Sequence, residues 1–528
     1  MILVLTFSVS AASAQSPSSA LPSSADQPKA LGPAAGGRIL LVLPFDNRSS
    51  QPSLEWMREA AAEILSSRFI SAGFAPMSRP DRLYALDHLG LPQGFQPSRA
   101  SSLKLAQTLD ADSIVVGSFQ TEGTDIVAEA RLVDVPHLRM SDAVTARGPL
   151  SSMMDIFDSL AWKLTRQLDP SFNVAQETFI AAGHGLRLDA FEQYIRGITE
   201  PDQQERLRHL KQAVQLSPAF GPAWMALGRE DYSGQQYDDA AAAFAKVDRN
   251  DPDALEANFY RGISLLFSGN YPQAEAAFSG VARILPLAQV LNNQGVALSR
   301  QNKDGSALFR QAVTADPNNA DYHFNLAVSL KSHGNAAEAL TELTQSLHLH
   351  PNDAEALDLQ DDWKSSKATH ADPLERIVRS FDAAAFRQAA QMMDQMEASR
   401  LAALTPHEQA LRQATQAADY LDRGLLLEAE RLYQAAATED NKLAVVHAGL
   451  AEVRERTGDA DSARREARLS LELMPSASAY LVLGRLDLGN GKLNEATTEV
   501  NEAVKIEPNS KAASELRHQI EAKGGSKN

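Results

Sequence analysis

Hydrophobic and polar positions between residues 37 and 170 predict a domain that mixes strands and helices. Two continuous apolar runs are typical of strands that are buried on both faces. A third run alternates apolar and polar residues, as a half-exposed strand does, and three stretches place apolar residues at helical spacing. Ser53 is expected to cap the first of these helices. The predicted strands cover 38–44, 74–78, 113–119, 124–133 and 139–146, and the predicted helices cover 53–69, 100–109 and 153–168.

Two segments of this domain carry a family resemblance. The sequence ILLVLPFDN at 39–47 resembles the opening of TolB-type amino-terminal domains and their FlgO-like and CsgG-like relatives. The sequence LAQTLDADSIVVGS at 105–118 is similar to a second segment of that family, although Asp110 stands where the family usually has glycine. The resemblance implies a non-enzymatic module of bacterial envelope proteins. It also implies that Phe45 and Gly117 serve the fold rather than a ligand.

The remainder of the chain repeats a helical pattern with a nearly constant period. Predicted helices end at prolines 218, 252, 286, 317, 351, 475 and 508. The first five prolines are 34, 34, 31 and 34 residues apart, and the last two are 33 apart. Trp224, Gly228, Ala240 and Phe244 take the places where tetratricopeptide repeats have large, small and aromatic residues, so the array resembles that family. The resemblance implies an all-α superhelical solenoid of stacked helix pairs.

The repeats divide into two arrays with a poorly matching stretch between them. We therefore expect a multidomain chain, with an N-terminal α/β domain at 37–170 followed by the tetratricopeptide-repeat (TPR) solenoid. Array 1 is expected at 186–358, and array 2 is expected at 408–523 with a polar-faced capping helix at its end. Residues 359–407 are interpreted as a hinge and a degenerate repeat unit, to which 377–381 belongs.

The first residues have the pattern of an export signal. An apolar run at 2–9 precedes Ala12-Ser13-Ala14, which fits the small-x-small cleavage pattern, although no Lys or Arg comes before the run. We expect a signal peptide at 1–14 and a disordered linker rich in Ser, Ala and Pro at 15–36. The run is shorter than the roughly 20 residues that span a bilayer, so no integral membrane span is expected. A periplasmic or secreted location follows, and a cytoplasmic one is the alternative.

Composition and charge disfavour several classes of function. The chain has 50 Lys and Arg residues against 67 Asp and Glu residues, a net charge of −17, which is unfavourable for binding nucleic acid. It has no cysteine, which excludes disulfides, thiol catalysis and cysteine-ligated metals. The sequence contains no phosphate-binding loop and no zinc-protease motif, and its histidines and carboxylates are dispersed. We expect no enzymatic activity, no cofactor and no metal site.

Four residues of array 1 are candidates for peptide binding. In tetratricopeptide repeats, an asparagine at the sixth place of the first helix often binds the backbone of an extended peptide. Asn293 and Asn325 match that place in neighbouring units. Arg300 and Lys331 lie about two turns further along the same helices, where each could pair with a carboxylate. The alternative interpretation is that the asparagines bridge neighbouring helices and that the two cations are only solvated.

Binding is therefore the function that the sequence favours. The leading hypothesis is a non-catalytic scaffold or adaptor of the bacterial cell envelope. In it, the α/β domain contacts an envelope component and the repeats hold a protein or peptide partner. A second hypothesis is a ligand-responsive regulatory protein with the α/β domain as its sensor. A third, which applies if the leader is not cleaved, is a cytosolic signalling adaptor.

Overall fold

The computed structural model describes residues 39–92, 98–183, 185–365 and 373–525. The predicted signal peptide at 1–14 and the predicted linker at 15–36 lie outside these residues. Within them, a sheet-containing α/β region comes first and a long run of helices follows, which confirms the expected fold class. Every strand in the described part of the chain precedes Leu150, so the α/β region and the helical region are separate along the sequence.

A mixed sheet forms the centre of the α/β domain. Its strands are β1 (Ile39–Val42), β2 (Asp46–Asn47), β3 (Ala75–Pro76), β4 (Ser113–Glu122), β5 (Asp125–Asp134), β6 (Arg139–Met140) and β7 (Val144–Pro149). The main order is β3-β1-β4-β5-β6, in which β1 runs parallel to β3 and β4. β5 runs antiparallel to β4 along its whole length, β2 continues beside β4, and β7 pairs with β5.

Helices cover both faces of this sheet. They are α1 (Met57–Ser71), α2 (Arg79–His88), α3 (Arg99–Thr108) and α4 (Met153–Leu168). Successive side chains of a strand point to opposite faces of the sheet. Leu40 and Val42 therefore share one hydrophobic core with α1 and α4, whereas Leu41 belongs to a second core with α2 and α3. The continuous apolar run of β1 thus reflects burial on two faces.

Two local features of the α/β domain differ from the expected pattern. Ser53 does not cap α1, because Pro52 begins a short 3₁₀ turn and the helix starts only at Met57. Asp110 has a φ of 50°, in the left-handed region that glycine adopts without strain. This conformation is a physical reason for the glycine that usually stands there in the resembling domains.

Paired helices build the rest of the described chain. The first of them are α5 (Gln176–Ala181), α6 (Leu188–Thr199), α7 (Gln203–Leu216), α8 (Gly221–Ser233), α9 (Tyr237–Phe244), α10 (Ala254–Phe267), α11 (Tyr271–Ala282), α12 (Ala288–Ser299), α13 (Ser306–Ala315), α14 (Ala320–Ser332), α15 (Ala336–Leu349) and α16 (Ala354–Ser365). The others are α17 (Ala383–Ala402), α18 (Pro406–Asp422), α19 (Leu426–Glu439), α20 (Ala444–Arg456), α21 (Ala460–Leu473), α22 (Ala477–Gly489), α23 (Leu493–Ile506) and α24 (Lys511–Gly525). Array 1 comprises α6 to α16, and array 2 comprises α18 to α24.

Small residues let the two helices of a pair approach each other. A Cβ atom at Gly262 of α10 would lie 2.6 Å from the ring of Phe278 in α11, which is closer than a side chain can come. The Phe278 ring is fully buried and joins a core that continues into α12 and α14. The small and aromatic positions of the repeat therefore form its packing, as the sequence pattern predicts.

The stretch between the arrays contains an extended segment. Residues 373–382 have no helix or strand, and they run along array 1 with their backbone bonded to its side chains; we name these residues the strap. The expectation that 377–381 belongs to a degenerate repeat unit is therefore wrong. The segment is extended and its apolar residues pack against array 1, although Phe381 also contacts Phe386 of α17. The helix α17 follows the strap, and the expected hinge residues 366–372 lie outside the described residues.

Array 2 folds back onto the α/β domain. Leu427 of α19 is fully buried in the same hydrophobic core as α1 and α4. The buried Glu430 carboxylate accepts hydrogen bonds from the Thr178 hydroxyl and, at 3.0 Å, from the Ala175 N–H, and it pairs with Arg454 at 2.5 Å. Burial raises the pKa of Glu430, although Arg454 and the hydrogen bonds oppose the rise. These contacts attach the first helix pair of array 2 to the segment that contains α5.

Array 1 and α17 also contact the α/β domain. The Tyr194 hydroxyl in α6 donates to the Glu63 carboxylate in α1 at 3.4 Å. Burial raises the pKa of Glu63 to about 7, the nearby Glu59 adds to the rise, and two arginines of α2 oppose it. Arg387 of α17 pairs with Asp81 of α2 at 3.1 Å. The α/β domain is therefore in contact with both arrays and with the helix that follows the strap.

Candidate peptide-binding groove

The strap lies across the first helices of successive helix pairs in array 1. Its contacts come from α8, α10, α12, α14 and the start of α16. The first helices of stacked repeats form the concave face of such a solenoid, and we name this face in array 1 the groove. Arg376 contacts α14 and α16, whereas Phe381 contacts α10, so the strap runs opposite to the order of the repeats.

Two asparagines of the groove bind the strap backbone in both directions. The Asn325 side chain donates to the carbonyl of Arg376 at 2.7 Å and accepts from the N–H of the same residue at 2.6 Å. Asn293 makes the same pair of bonds with Val378, at 2.8 and 2.9 Å. Residues two apart in an extended chain point their backbone groups to the same side. One asparagine from each of two neighbouring units therefore matches the spacing of an extended peptide.

A third asparagine connects the other two. The Asn292 Nδ2 donates to Asn293 at 3.2 Å and to the Arg376 carbonyl at 3.1 Å, and the Asn292 Oδ1 accepts from Asn325 at 2.8 Å. All three side chains are fully buried, where an amide without hydrogen bonds is costly. The bond between Asn325 and Asn292 therefore joins the neighbouring helices α14 and α12, whereas Asn293 bonds within its own helix, and all three asparagines bind the strap as well. Asn292 is not among the predicted site residues; its signal in the sequence is the Asn-Asn pair at 292–293.

The Arg376 guanidinium occupies an acidic pocket. Its Nη1 lies 2.6 Å from Asp353 and 2.8 Å from Asp321, and its Nη2 lies 3.0 Å from both Asp353 and Glu355. Its Cζ lies 3.7 Å from the centre of the Phe324 ring. Burial alone would raise the pKa of Asp353, but hydrogen bonds from Arg376 and from a backbone N–H outweigh it and lower the pKa. Burial opposes the charge on Arg376, but the three carboxylates raise its pKa above the ordinary value.

The C-terminal half of the strap is held by aromatic contacts. The Cζ of Arg379 lies 5.1 Å from the centre of the Phe267 ring. The Phe381 ring centre lies 5.4 Å from that of Phe259, and the Phe381 N–H donates to the Tyr260 hydroxyl at 3.3 Å. The strap is therefore anchored by charge near one end, by aromatic rings near the other, and by backbone bonds between them.

The two cations predicted beside the asparagines have different surroundings. Arg300 donates to the carbonyl of Glu375 at 3.1 Å and lies 3.6 Å from the carboxylate of that residue, with both side chains largely buried. The Lys331 Nζ lies 5.4 Å from the centre of the Trp363 ring in α16. Arg300 thus meets a carboxylate of the strap, whereas Lys331 contacts array 1 itself. That Asn293, Arg300, Asn325 and Lys331 bind a separate peptide stays a prediction.

Array 2 repeats structural bonds of array 1 at a constant offset. His323 contacts Glu342 at 2.6 Å, and His447 contacts Glu466 at 2.8 Å. The Nε2 atoms of these histidines lie 3.0 and 2.9 Å from the carbonyl oxygens of residues 317 and 441. Each residue of array 2 stands 124 positions after its counterpart (323 to 447, 342 to 466, 317 to 441). The two units are therefore built alike.

The groove residues do not recur at this offset. Asp321, Phe324, Asn325, Asp353 and Glu355 correspond to Val445, Ala448, Gly449, Ala477 and Ala479. The architecture of the repeat thus does not require the acidic pocket or the asparagine. Asp321 and Glu355 lie in the first turns of their helices, where acidic residues are common because they interact favourably with the helix dipole. Their positions in the sequence therefore do not indicate a binding role.

The side chains of the groove are suited to binding a peptide. Across 39–92, 98–183, 185–365 and 373–525, His, Asp and Glu side chains form no group that could hold a metal ion. Nor do these ranges contain a helix with the length and apolar character needed to cross a bilayer. The groove combines backbone-binding amides, an arginine pocket and aromatic rings, and this set of groups suits recognition of a peptide.

Family models match two parts of array 1. Both are described as tetratricopeptide repeat, and they match residues 225–288 and 308–341. These stretches are tetratricopeptide repeats. Repeats of this kind act as protein–protein interaction scaffolds, and proteins of this fold are generally non-catalytic interaction modules. A search of the curated proteins finds no significant match.

Several solved structures are similar to parts of this chain. YrrB, described as a TPR protein with an unusual peptide-binding site, is 16% identical; the match covers 38% of this chain and 99% of YrrB, with a TM-score of 0.29. MamA from Desulfovibrio magneticus RS-1 is 20% identical, with 32% of this chain and 99% of MamA covered and a TM-score of 0.29. The C-terminal domain of LpoB from Escherichia coli is 21% identical; the match covers 21% of this chain and 82% of the LpoB domain, with a TM-score of 0.20.

Proposed function

We propose that this protein is a non-catalytic scaffold of the bacterial cell envelope that binds an extended segment of a protein partner in the groove. The observation that carries the proposal is the two-way backbone bonding by Asn293 and Asn325. Every extended peptide offers the same N–H and C=O groups, so this pair is suited to a peptide from another protein as well as to the strap.

Sequence features support the envelope location. Residues 1–14 have the apolar run and the cleavage pattern of an exported protein. Residues 39–47 and 105–118 resemble segments of domains that occur in bacterial envelope proteins. In the proposal, the α/β domain contacts an envelope component, and array 1 presents the groove to a second protein.

Photo-crosslinking from inside the groove tests the binding function. A photoreactive phenylalanine analogue placed at position 267 in the full chain, expressed in its native host, should capture an envelope protein. The double variant Asn293→Ala, Asn325→Ala should reduce this capture at least about tenfold, because four backbone bonds of about 1 kcal/mol each are removed. Capture of the strap alone, or capture that the double variant leaves unchanged, would refute the scaffold function of the groove.

A matched control uses two asparagines outside the groove contacts. The Asn258 side chain donates to the carbonyl of Ala254 in its own helix at 2.8 Å, and Asn494 is exposed in array 2. The double variant Asn258→Ala, Asn494→Ala should capture the partner as well as the unmodified chain does. If it does not, the loss reflects removal of any two asparagines rather than of the groove contacts.

Fractionation with intact-mass measurement tests the location. A periplasmic species that begins at Gln15 agrees with the proposal, because it shows export and cleavage after Ala14. A cytosolic species that retains Met1 contradicts the envelope location and favours a cytosolic adaptor instead.

A further inference from the structure

We infer that the strap is a built-in competitor of the partner, and that the partner's docking segment has the chemistry of the strap. That segment is extended, with an arginine for the acidic pocket, two apolar residues directly after it, and an aromatic residue five positions after the arginine. This inference rests on the proposed scaffold function and adds to it the class of peptide that the groove accepts. It also explains why the groove is filled by a segment of the same chain.

The acidic pocket selects arginine. Three carboxylates lie within 3.0 Å of the two terminal nitrogens of Arg376, and the guanidinium Cζ lies 3.7 Å from the centre of the Phe324 ring. A guanidinium can make such forked bonds and stack at the same time, whereas an ammonium is a compact point charge on a flexible stem. A segment with lysine at this position therefore loses several of these contacts.

The asparagines set the register of the apolar and aromatic positions. Asn325 binds the backbone of Arg376, and Asn293 binds the backbone of Val378. These bonds fix the distance along the peptide between the arginine in the acidic pocket and the residue that Asn293 binds. Ile377 then packs against the core formed by α10, α12 and α14, and Phe381 reaches the ring of Phe259. Position 379 is occupied by an arginine whose Cζ lies 5.1 Å from the centre of the Phe267 ring, whereas the exposed position 380 makes no comparable demand. The pattern that follows is Arg, apolar, apolar, Arg, any, aromatic.

The recognition groups are specific to this groove. At the equivalent positions of array 2, the pocket carboxylates are replaced by Val445, Ala477 and Ala479, and the asparagine by Gly449. The two units keep the same histidine and glutamate contacts, so their shared architecture does not explain the pocket. A role in recognition explains it, and the strap and the partner then compete for one site.

The short connection to array 1 gives the strap an advantage over a free peptide. Seven residues, 366–372, separate α16 from the strap in the sequence. Because the strap belongs to the same chain as the groove, its effective concentration at the groove is on the order of 1 mM. If the same segment binds an empty groove with a dissociation constant of about 10 μM, the closed chain binds it about 100-fold more weakly.

A labelled copy of the strap tests the inference. A nine-residue fluorescent peptide with the sequence 374–382 is titrated with two full chains, the unmodified one and an opened one that carries Arg376→Ala and Phe381→Ala. Fluorescence anisotropy should show binding at least about tenfold tighter to the opened chain. Adding Asn293→Ala and Asn325→Ala to the opened chain should abolish the gain, and a peptide with Arg376→Lys should bind at least about tenfold more weakly.

Several outcomes would overturn the inference. One is a folded, opened chain that binds the peptide no more tightly than the unmodified chain does. Another is equal binding of the arginine and lysine peptides. A third is a dimer, seen by light scattering, that the unmodified chain forms and the opened chain does not, because the strap then closes the groove of a second copy. None of these outcomes affects the crosslinking test, so failure of the peptide class and failure of the scaffold function are distinguishable.

If the opened chain does not fold, hydrogen exchange of the unmodified chain provides an independent test of the competition. The unmodified chain is incubated with a large excess of the unlabelled peptide, and amide exchange is followed by mass spectrometry. The amides of 376 and 378, which bind Asn325 and Asn293, should exchange at least about tenfold faster when the peptide is present. Unchanged exchange at saturating peptide would show that the strap does not yield to a competitor.

Discussion

Replacing Arg376 by alanine tests how firmly the acidic pocket holds the strap. The substitution removes four hydrogen bonds between the guanidinium and three carboxylates, and it removes the contact with the Phe324 ring. It leaves the backbone bonds of position 376 to Asn325 available. The expected effect is therefore local opening of the strap and not unfolding of array 1.

The size of the effect follows from the surroundings of the guanidinium. Hydrogen bonds to charged groups contribute about 1.5–3 kcal/mol each when buried. The Arg376 side chain is 21% exposed and two of its three acids are about half exposed, so water replaces much of this interaction. Asp353, with an exposed fraction of 8%, is left without its buried partner. We expect a cost of about 3 kcal/mol, which raises the open fraction of the strap about 100-fold.

Amide hydrogen exchange measured by mass spectrometry is the assay. Peptides that cover 374–382 should lose protection by about 100-fold, whereas peptides from α14 and α16 should keep theirs. Arg400→Ala is the control, because Arg400 is exposed and pairs with Glu397 of its own helix at 3.7 Å, away from the strap. Unchanged protection of the strap would refute the role of the pocket, and an equal loss in α14 would show that the residue supports the repeat itself.

Three further predictions concern the rest of the fold. Glu430→Ala should cost about 3–5 kcal/mol and speed amide exchange in α5, because it removes a buried acceptor between array 2 and that helix. Because burial raises the pKa of Glu63 to about 7, its neutral form stabilises the fold below about pH 4.5, and this stabilisation is lost as the pH rises through 7. In the Glu63→Gln variant, the melting temperature should change less between about pH 4.5 and pH 7 than it does in the unmodified chain. Gly117→Ala should destabilise the α/β domain by about 1–3 kcal/mol, because its new methyl group meets the Phe45 ring.

Two of these predictions, those for Glu430 and Gly117, have a control within the chain. Glu495→Ala changes an exposed glutamate of array 2 and should leave exchange in α5 unaltered. Gly280→Ala adds a methyl group to a helix where no atom lies within 4 Å, and it should stabilise the chain by about 1 kcal/mol. An unchanged pH profile in the Glu63 variant, equal effects of the two alanine substitutions at glycine, or unaltered exchange in the Glu430 variant would each contradict the corresponding argument.

Sequence patterns predict the strands and helices whose structure is decided by residues close to one another in the sequence. The apolar run of β1, the alternation in β5 and the amphipathic face of α4 all appear at the predicted places. Helix α2 is missed, because its pattern begins with Arg79 and Pro80 and is polar for most of its length. The short β2 is missed because its two residues, Asp46 and Asn47, are typical of a turn.

The groove shows which part of a site a sequence can reveal. The place of Asn293 and Asn325 in their repeats singles them out, and the structure places both against an extended backbone. The strap is not predictable in this way, because apolar residues at 377, 378 and 381 fit a helix equally well. Its conformation is decided by Asn293, which is 85 residues away from Val378 along the chain. Contacts between residues so far apart in the sequence leave no periodic pattern of hydrophobic and polar positions.

The strap is attached at both of its ends, and this sets how fast the groove can respond. Before it, Ala356 and Leu359 of α16 pack against α14 and α15, and after it Arg387 joins α17 to the α/β domain. A released strap can therefore only bulge outward and stays near the groove. Loops of about ten residues close in roughly 10–100 ns, so reclosure needs no diffusional search. In the proposed competition, the strap therefore refills the groove after a partner leaves, without chemical energy or a second factor.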